Sequence, residues 1–245
     1  MNPERYRRQI LVKELGAQGQ DTLSKKHAVV IGGGGLGSNS ANLLVRAGIG
    51  SIDIVDYDVV DITNLHRTAL FTEDDVGKSK AKVLEKKLHQ SNTEVVVRGV
   101  EQKVTKETIT SIVDHADIVL DGTDSLAMRF LLNDIAVKQG IPWVYAGVYA
   151  TVGMVMGVLP KQTPCFKCIS PVLPSEDASE TPVLGTLPGL IAAVQCNEAM
   201  KFLLGMPFSG LLIYDSWSQC FDQMVLERNL SCSCCGKGMF EFLEK

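Results

Sequence analysis

The sequence has no excess of positive charge. Its 245 residues include 24 Lys and Arg against 28 Asp and Glu, a formal net charge of −4. A protein that binds nucleic acid broadly through the phosphates needs a basic surface, so we expect no nucleic-acid partner. The opening residues, MNPERYRRQI, also lack the apolar core of a secretory signal, and we expect a cytoplasmic protein.

Long uncharged runs are scarce as well. Residues 141–160 are the stretch to be tested for a transmembrane helix, because they have no charged side chain. Pro142 and Pro160 lie near the two ends of this stretch. A transmembrane helix needs roughly 20 apolar residues. The internal glycines and the β-branched and aromatic residues instead favour two buried strands joined by a turn, and we expect no membrane association.

Strands alternate with helices through the first 150 residues. The pattern predicts strands at 27–35, 51–58, 94–100, 116–124 and 141–149, with helices at 36–48, 78–92 and 125–139. This alternation predicts an α/β fold with a doubly wound, parallel sheet and right-handed crossovers.

The remaining residues differ in character. Residues 151–160 and 210–229 are typical of longer antiparallel strands. Between them the pattern predicts a loop at 170–188 and a helix at 189–205. We find no internal repeat and no flexible linker. We therefore expect one domain over 1–245, with a nucleotide-binding half (1–150) and a second half (151–245).

Four consecutive glycines follow the first predicted strand, in VVIGGGGLGS (29–38). The spacing Gly32-x-Gly34-x-x-Gly37, with Gly35 inside it, lets a backbone turn approach a phosphate at a helix N-terminus. Asp56 ends the next predicted strand, where a carboxylate could bond ribose hydroxyls. The pattern predicts nucleotide binding but does not select NAD.

Polar residues cluster after the second and fourth predicted strands. Asn64, Arg67 and Lys80 could converge on a phosphate chain, because Arg grips phosphate in a planar fork and Lys adds a point charge. Thr123 and Asp124 end the fourth strand in DGTD, and a carboxylate there is a natural Mg²⁺ ligand.

Seven cysteines without a secretory signal indicate thiol or metal chemistry in a reducing compartment. Two C-x-x-C pairs could close a tetrahedral Zn²⁺ site that stabilises the fold; they are Cys165 with Cys168 and Cys232 with Cys235. Free thiols or a redox pair are the alternative, and Cys234 leaves the register ambiguous. We expect Cys196 to be a buried helix residue and Cys220 to be structural.

Several of these segments occur together in a fixed order: RYRRQI, IGGGGLG, DYDVVDITNLHR, GKSKA, DGTD and LLND. In this respect the chain resembles the ThiF/MoeB/HesA adenylyltransferases, relatives of the ubiquitin-activating enzymes. The resemblance runs from about Arg5 to Gly236. It implies a Rossmann-like sheet, parallel for the most part and extended by antiparallel strands, with a structural four-cysteine zinc site.

The resemblance also implies an activity, in which MgATP adenylates a carboxylate and pyrophosphate is released. The usual carboxylate is the C-terminal glycine of a ubiquitin-like sulfur carrier, in thiamine- or molybdopterin-type cofactor biosynthesis. The implied roles are ribose binding by Asp56, phosphate binding by Asn64, Arg67 and Lys80, and Mg²⁺ binding by Asp124. Arg8 resembles the arginine that such enzymes donate to the partner's ATP across a homodimer.

The chain departs from this pattern in three places. Ala178 stands where many relatives have a further cysteine, so we expect the reaction to stop at the acyl-adenylate. Thr68 replaces a usual Gln. Tyr145, Tyr149 and neutral residues stand where some relatives have Arg and Glu; they could be core, or could line a site for an aromatic acid.

Three other functions compete with carrier adenylation. One is adenylation of a small aromatic acid in cofactor synthesis, such as the pyridinol precursor of the iron-hydrogenase cofactor. An NAD-dependent oxidoreductase is disfavoured because the four histidines have no catalytic context. A non-catalytic binding module held together by a metal is disfavoured by intact Arg67, Lys80 and Asp124.

Overall fold

A computed structural model describes residues 2–170 and 182–244 of the chain. In these ranges eight strands form one sheet in the order β3-β2-β1-β4-β5-β6-β7-β8. Their bounds are β1 His27–Ile31, β2 Ser51–Val55, β3 Val96–Val100, β4 Ile118–Asp121, β5 Trp143–Tyr149, β6 Val152–Val158, β7 Leu211–Asp215 and β8 Cys220–Met224. Strands β1 to β5 are parallel, and the pairings β5–β6, β6–β7 and β7–β8 are antiparallel.

The helices pack on both faces of this sheet. Within the described ranges they are α1 Arg7–Ile10, α2 Gly16–Leu23, α3 Gly35–Ala47, α4 Lys80–Ser91, α5 Ile109–Val113, α6 Leu126–Gln139, α7 Phe166–Ile169, α8 Leu187–Leu203 and α9 Glu241–Glu244. Two short 3₁₀ helices, Ile62–Arg67 and Glu73–Asp75, lie between β2 and α4. This arrangement confirms the predicted α/β fold with its antiparallel extension.

Alternation along the strands divides the core into two layers. In β1, Ala28 and Val30 face the layer formed with α3, α4 and α8, whereas Val29 and Ile31 face the layer formed with α5 and α6. Successive side chains of a strand point to opposite faces, so a continuous apolar run is required where both faces are covered. Cys196 lies buried in the first layer, as predicted.

Local signals place most helix ends. Helix α3 ends at Gly48, which adopts φ +84°, a conformation that glycine reaches without steric cost. Ser79 and Ser125 cap α4 and α6 by accepting N–H bonds from Lys82 and Met128. Among the described helices, α1, α2, α5, α7 and α9 were not predicted from the sequence.

The uncharged stretch 141–160 forms β5 and β6, a hairpin, as predicted. Within the part of the chain that the structure describes, no helix is both long and apolar enough to cross a membrane. The stretch 210–229, in contrast, forms only the short strands β7 and β8 around a tight turn, and Cys220 is exposed. The Asp215 side chain makes this turn by accepting the N–H of Trp217 at 3.0 Å and the hydroxyl of Ser218 at 2.8 Å.

Candidate active site

The glycine turn joins the end of β1 to the start of α3. Gly32 adopts φ +89°, and its N–H donates to the carbonyl of Val55 at 2.8 Å. A Cβ on Gly37 would overlap the carbonyl oxygen of Gly32, so glycine is required there for the helix to pack against the turn. The first N–H groups of α3 have no partner within the helix, which is the usual basis of anion binding at such a terminus.

Asp56 lies directly beside this turn. Its Oδ2 accepts the N–H of Gly33 at 2.7 Å, and its Oδ1 accepts the N–H of Asp58 at 2.7 Å. The residue is nearly buried but lines the cleft. Because an ionised carboxylate offers about four lone-pair sites, it retains acceptor capacity for hydroxyl groups of a ligand.

The 3₁₀ helix Ile62–Arg67 carries the next two predicted residues. Asn64 is held by a capping box, in which its Oδ1 accepts the N–H of Asp61 at 3.1 Å. The Nη1 of Arg67 donates to the carbonyl of Thr63 at 2.5 Å. The side chain of Arg67 lies against Gly35, where a Cβ would approach its Cδ to 3.2 Å, so this glycine leaves room for the arginine.

Lys80 begins α4 and points into the same cleft. Its Nζ lies 3.2 Å from Oδ2 of Asp58, and its side chain is only 12% exposed. Asp58 was not among the predicted site residues. The signal available was DYD at 56–58, since a second acid after a parallel strand lies at the same sheet edge.

Thr123 and Asp124 follow β4 on the opposite side of the glycine turn. Asp124 is exposed, and among the described residues its side chain has no hydrogen-bonding or ionic partner. Thr123 is held by Asp121 and Arg129, two buried residues that sequence reasoning missed. Burial raises the pKa of the Asp121 carboxyl above its ordinary value, and the Arg129 guanidinium opposes that change.

These elements enclose one cleft of about 970 Å³. It brings together most of the predicted nucleotide-site residues: Gly32, Gly34, Gly35, Asp56, Asn64, Arg67, Lys80, Thr123 and Asp124. Gly37 packs beneath the turn. Arg8 is exposed on α1 and does not line the cleft of its own chain.

The far end of the cleft, near β5 and β6, differs chemically from the nucleotide end. Its described lining includes Val148, Val152 and Met154, together with Tyr149, which is 44% exposed. Tyr145 is buried, with its ring centroid 4.9 Å from that of Phe166. Ala178, predicted to replace a loop cysteine, lies outside the described residues.

The four predicted cysteines come together in the core layer that contains α5 and α6. The sulfur atoms of Cys165, Cys168, Cys232 and Cys235 all lie within 4.8 Å of one another. The distances for 165–168, 165–232 and 168–235 are 3.8, 3.7 and 3.5 Å. Tetrahedral zinc with Zn–S bonds of about 2.3 Å requires S–S edges of roughly 3.8 Å, so the cluster fits the ion.

The cluster contains Cys232 and Cys235 as its second pair. Cys234 lies outside the four-sulfur cluster, and its sulfur accepts a hydrogen bond from Asn133 Nδ2 at 3.2 Å. The hydrogen bond between Cys168 and Cys165, together with burial, raises the pKa of Cys168 to about 12. A bound cation would favour the thiolate forms that this environment disfavours in its absence.

The fold and the cleft define a nucleotide-binding α/β protein, with a glycine turn facing the polar ends of parallel strands. The model of the ThiF family matches residues 6–234, and the chain belongs to this family. Among curated relatives, the SAMP-activating enzyme E1 of Haloferax volcanii is 36% identical over 248 residues, covering 98% of this chain and 92% of that protein. The sulfur carrier protein adenylyltransferase of Thermus thermophilus is 37% identical over 246 residues, covering 95% and 90%.

Solved structures agree. The microcin C7 biosynthetic enzyme MccB in complex with N-formylated MccA has a TM-score of 0.86 at 26% identity, covering 96% of this chain and 76% of that one. Escherichia coli MccB with ATP has a TM-score of 0.85 at 26% identity, covering 96% and 75%. The predicted enzyme class, an adenylyltransferase, is confirmed by these relatives.

Proposed function

We propose that this enzyme uses MgATP to adenylate the C-terminal carboxylate of a ubiquitin-like sulfur carrier and releases pyrophosphate. The observation that carries the proposal is the single cleft in which Arg67, Lys80 and Asp124 face the glycine turn. The names of the curated relatives support the carrier as substrate, because they include adenylyltransferases for sulfur carrier proteins. We further propose that residues 1–245 act as one adenylation domain.

The proposed nucleotide contacts follow from the cleft. Asp56, beside the glycine turn, binds the ribose hydroxyls with its remaining lone pairs. The N-terminus of α3 and the glycine turn approach the phosphates through backbone N–H groups. Asn64, Arg67 and Lys80 bind the phosphate chain from the other side.

Asp124 is the proposed Mg²⁺ ligand. Its exposed carboxylate supplies the hard oxygen that this ion prefers, and it lines the cleft. When bound, Mg²⁺ would neutralise part of the negative charge on the phosphates. Asp58, paired with Lys80, keeps that lysine directed into the cleft.

The proposed reaction needs no general base. The carrier carboxylate is already ionised at neutral pH, and one of its oxygens attacks the α-phosphorus in line. A new C–O–P bond forms as the bond from the α-phosphorus to the pyrophosphate oxygen breaks. The chain contributes positioning and charge neutralisation by Arg67 and Lys80, which are the principal terms in phosphoryl-type transfers.

Arg8 is proposed to act in trans within a homodimer. It lies on α1, exposed, and does not line the cleft of its own chain. Leu11 and Val12, which follow α1, are also exposed, at 78% and 50%. A second copy covering this segment would bury the apolar residues and bring Arg8 to the neighbouring cleft.

Zn²⁺ is the proposed occupant of the four-cysteine cluster, with a role in stability. The cluster ties Cys232 and Cys235, near the end of the chain, to Cys165 and Cys168 after β6.

Because Ala178 replaces the loop cysteine, we propose that the reaction ends at the acyl-adenylate, with sulfur supplied by another protein. Thiamine- or molybdopterin-type biosynthesis is the proposed context.

Adenylation of a small aromatic acid is the second candidate function, and the observation behind it is that Tyr145 and Tyr149 line the far end of the cleft. Tyr145 packs against Phe166 in the core and is only 4% exposed. The experiment that separates the two substrates is ATP–pyrophosphate exchange with carriers ending in Gly-Gly and, in parallel, with small aromatic acids. Carrier-dependent exchange supports the proposal, and exchange with an aromatic acid alone would replace it.

A further inference from the structure

The turn that carries Asp124 is held by a buried ion pair whose partners do not themselves belong to the proposed metal site. Asp121, the last residue of β4, is fully buried, and Arg129 on α6 is 6% exposed. Nε of Arg129 lies 3.2 Å from Oδ2 of Asp121. A buried pair of this kind adds little net stability relative to apolar residues of similar volume, although removal of one partner alone is strongly destabilising.

The pair binds every polar group of Thr123. Oδ1 of Asp121 accepts the Thr123 N–H at 2.9 Å and the Thr123 hydroxyl at 2.7 Å. Nη2 of Arg129 donates to the Thr123 carbonyl at 2.9 Å. Both peptide groups that flank Thr123, the residue immediately before Asp124, are therefore held in place.

The backbone at the end of β4 is also held by hydrogen bonds. Nε2 of Gln195 on α8, a fully buried side chain, donates to the carbonyl oxygens of Asp121 and Val144 at 2.8 and 2.9 Å. Its Oε1 accepts the hydroxyl of Ser40 on α3 at 2.7 Å. Hence the end of β4 is tied to the helix that begins at the glycine turn.

We infer that Asp121 and Arg129 are positioning residues, which set the Asp124 carboxylate for metal-bound nucleotide by holding Thr123. This inference rests on the proposed role of Asp124. Asp124 has no side-chain partner of its own in the described part of the chain, so its position depends on the preceding backbone. Geometry at metal sites is commonly set by such supporting contacts.

The test measures binding of a non-hydrolysable ATP analogue by calorimetry, with excess Mg²⁺ and again with EDTA. We expect the wild-type chain to bind more tightly with Mg²⁺, and Asp124→Asn to lose that gain. In Asp121→Asn we expect the ratio of affinity with Mg²⁺ to affinity in EDTA to fall at least tenfold. Its affinity in EDTA should stay within about twofold of wild type. A purely structural role would weaken binding equally in both conditions.

A milder pair of variants covers the case in which Asp121→Asn does not fold. Thr123→Val removes the hydroxyl donated to Asp121 at nearly constant volume, and Thr123→Ser keeps it. In Thr123→Val we expect the ratio of affinity with Mg²⁺ to affinity in EDTA to fall several-fold. In Thr123→Ser this ratio should stay within about twofold of wild type.

Two results would overturn the inference alone: a full Mg²⁺-dependent gain in Asp121→Asn or Thr123→Val, or equal losses with Mg²⁺ and EDTA. A wild-type chain that binds the analogue with no Mg²⁺ effect would overturn the role of Asp124, and the inference with it. Failure to bind the analogue at all would instead contradict the proposed function.

Discussion

The backbone N–H of Gly33 donates to Oδ2 of Asp56 at 2.7 Å, which joins the glycine turn to the acid at the end of the next strand. The two motifs are separated by 23 residues in the chain but form one structural unit. The conformation of the turn therefore depends on the same carboxylate that we assign to the ribose.

Asp56→Ala should weaken ATP binding through both effects. The variant loses an acceptor for ribose hydroxyls and releases the N–H of Gly33, so we expect the KM for ATP in pyrophosphate exchange to rise at least roughly tenfold. Asp74→Ala, which removes an exposed acid from a 3₁₀ helix, is the control and should match wild type. An unchanged KM in Asp56→Ala would contradict the assignment.

Gly37→Ala should destabilise the protein, since its Cβ would overlap the carbonyl oxygen of Gly32. Relieving the overlap requires the start of α3 to shift from the turn, at a cost of about 2 kcal/mol or more in the free energy of unfolding. Gly34→Ala is the matched control, because a Cβ there meets no atom within 4 Å. Thermal denaturation compares the two, and equal melting temperatures would refute the packing argument.

Asp124→Ala should abolish pyrophosphate exchange without loss of fold. The side chain is exposed and has no hydrogen-bonding partner within the described ranges, so its removal costs little stability. We expect a melting temperature within a few degrees of wild type and exchange reduced at least roughly a hundredfold. Substantial exchange by this variant would remove Asp124 from the proposed metal site.

The four-cysteine cluster should hold one Zn²⁺ per chain by elemental analysis. Cys165→Ser should lose the metal and destabilise the chain by several kcal/mol, because a structural zinc contributes its binding energy to folding. Cys220→Ser, at an exposed position on β8, is the control and should retain both metal and stability. Purified protein without zinc would refute the assignment.

Arg8→Ala should be inactive as a homodimer, and so should Asp124→Ala. If Arg8 serves the partner's cleft, mixing the two variants restores one intact site in each mixed dimer, or about a quarter of wild-type activity after random exchange. The readout is pyrophosphate exchange after subunit exchange. No recovery in verified mixed dimers would place Arg8 outside the neighbouring site.

The sequence predicted those parts of the site whose signals are local. The glycine turn, Asp56 and the cysteine pairs follow from spacing along a strand–turn–helix unit or a metal-binding loop, which constrains nearby residues directly. Asp121 and Arg129 escaped prediction because their pairing joins a strand end to the first turn of the next helix. From sequence alone, Asp121 is simply part of DGTD, and Arg129 is one of several polar residues in that helix.

The prediction of longer strands over 210–229 is wrong for a related reason, because this stretch forms the short hairpin of β7 and β8. Residues 216–219 contain no glycine or proline to signal a turn, so the pattern read as longer strands. The turn is made instead by the Asp215 carboxylate, which accepts hydrogen bonds from Trp217 and Ser218. Side-chain mimicry of a backbone turn has a weaker sequence signal than a glycine.

The most direct measurement of the central claim is the intact mass of a Gly-Gly carrier after incubation with the enzyme and MgATP, stopped in acid. We predict a carrier heavier by one adenylyl group, formed with wild-type enzyme but not with Asp124→Ala. The same carrier amidated at its C-terminus should gain no mass, because it lacks the attacking oxygen. An adenylyl group on the amidated carrier, or none on any acid-terminated carrier while ATP is bound, would contradict the account.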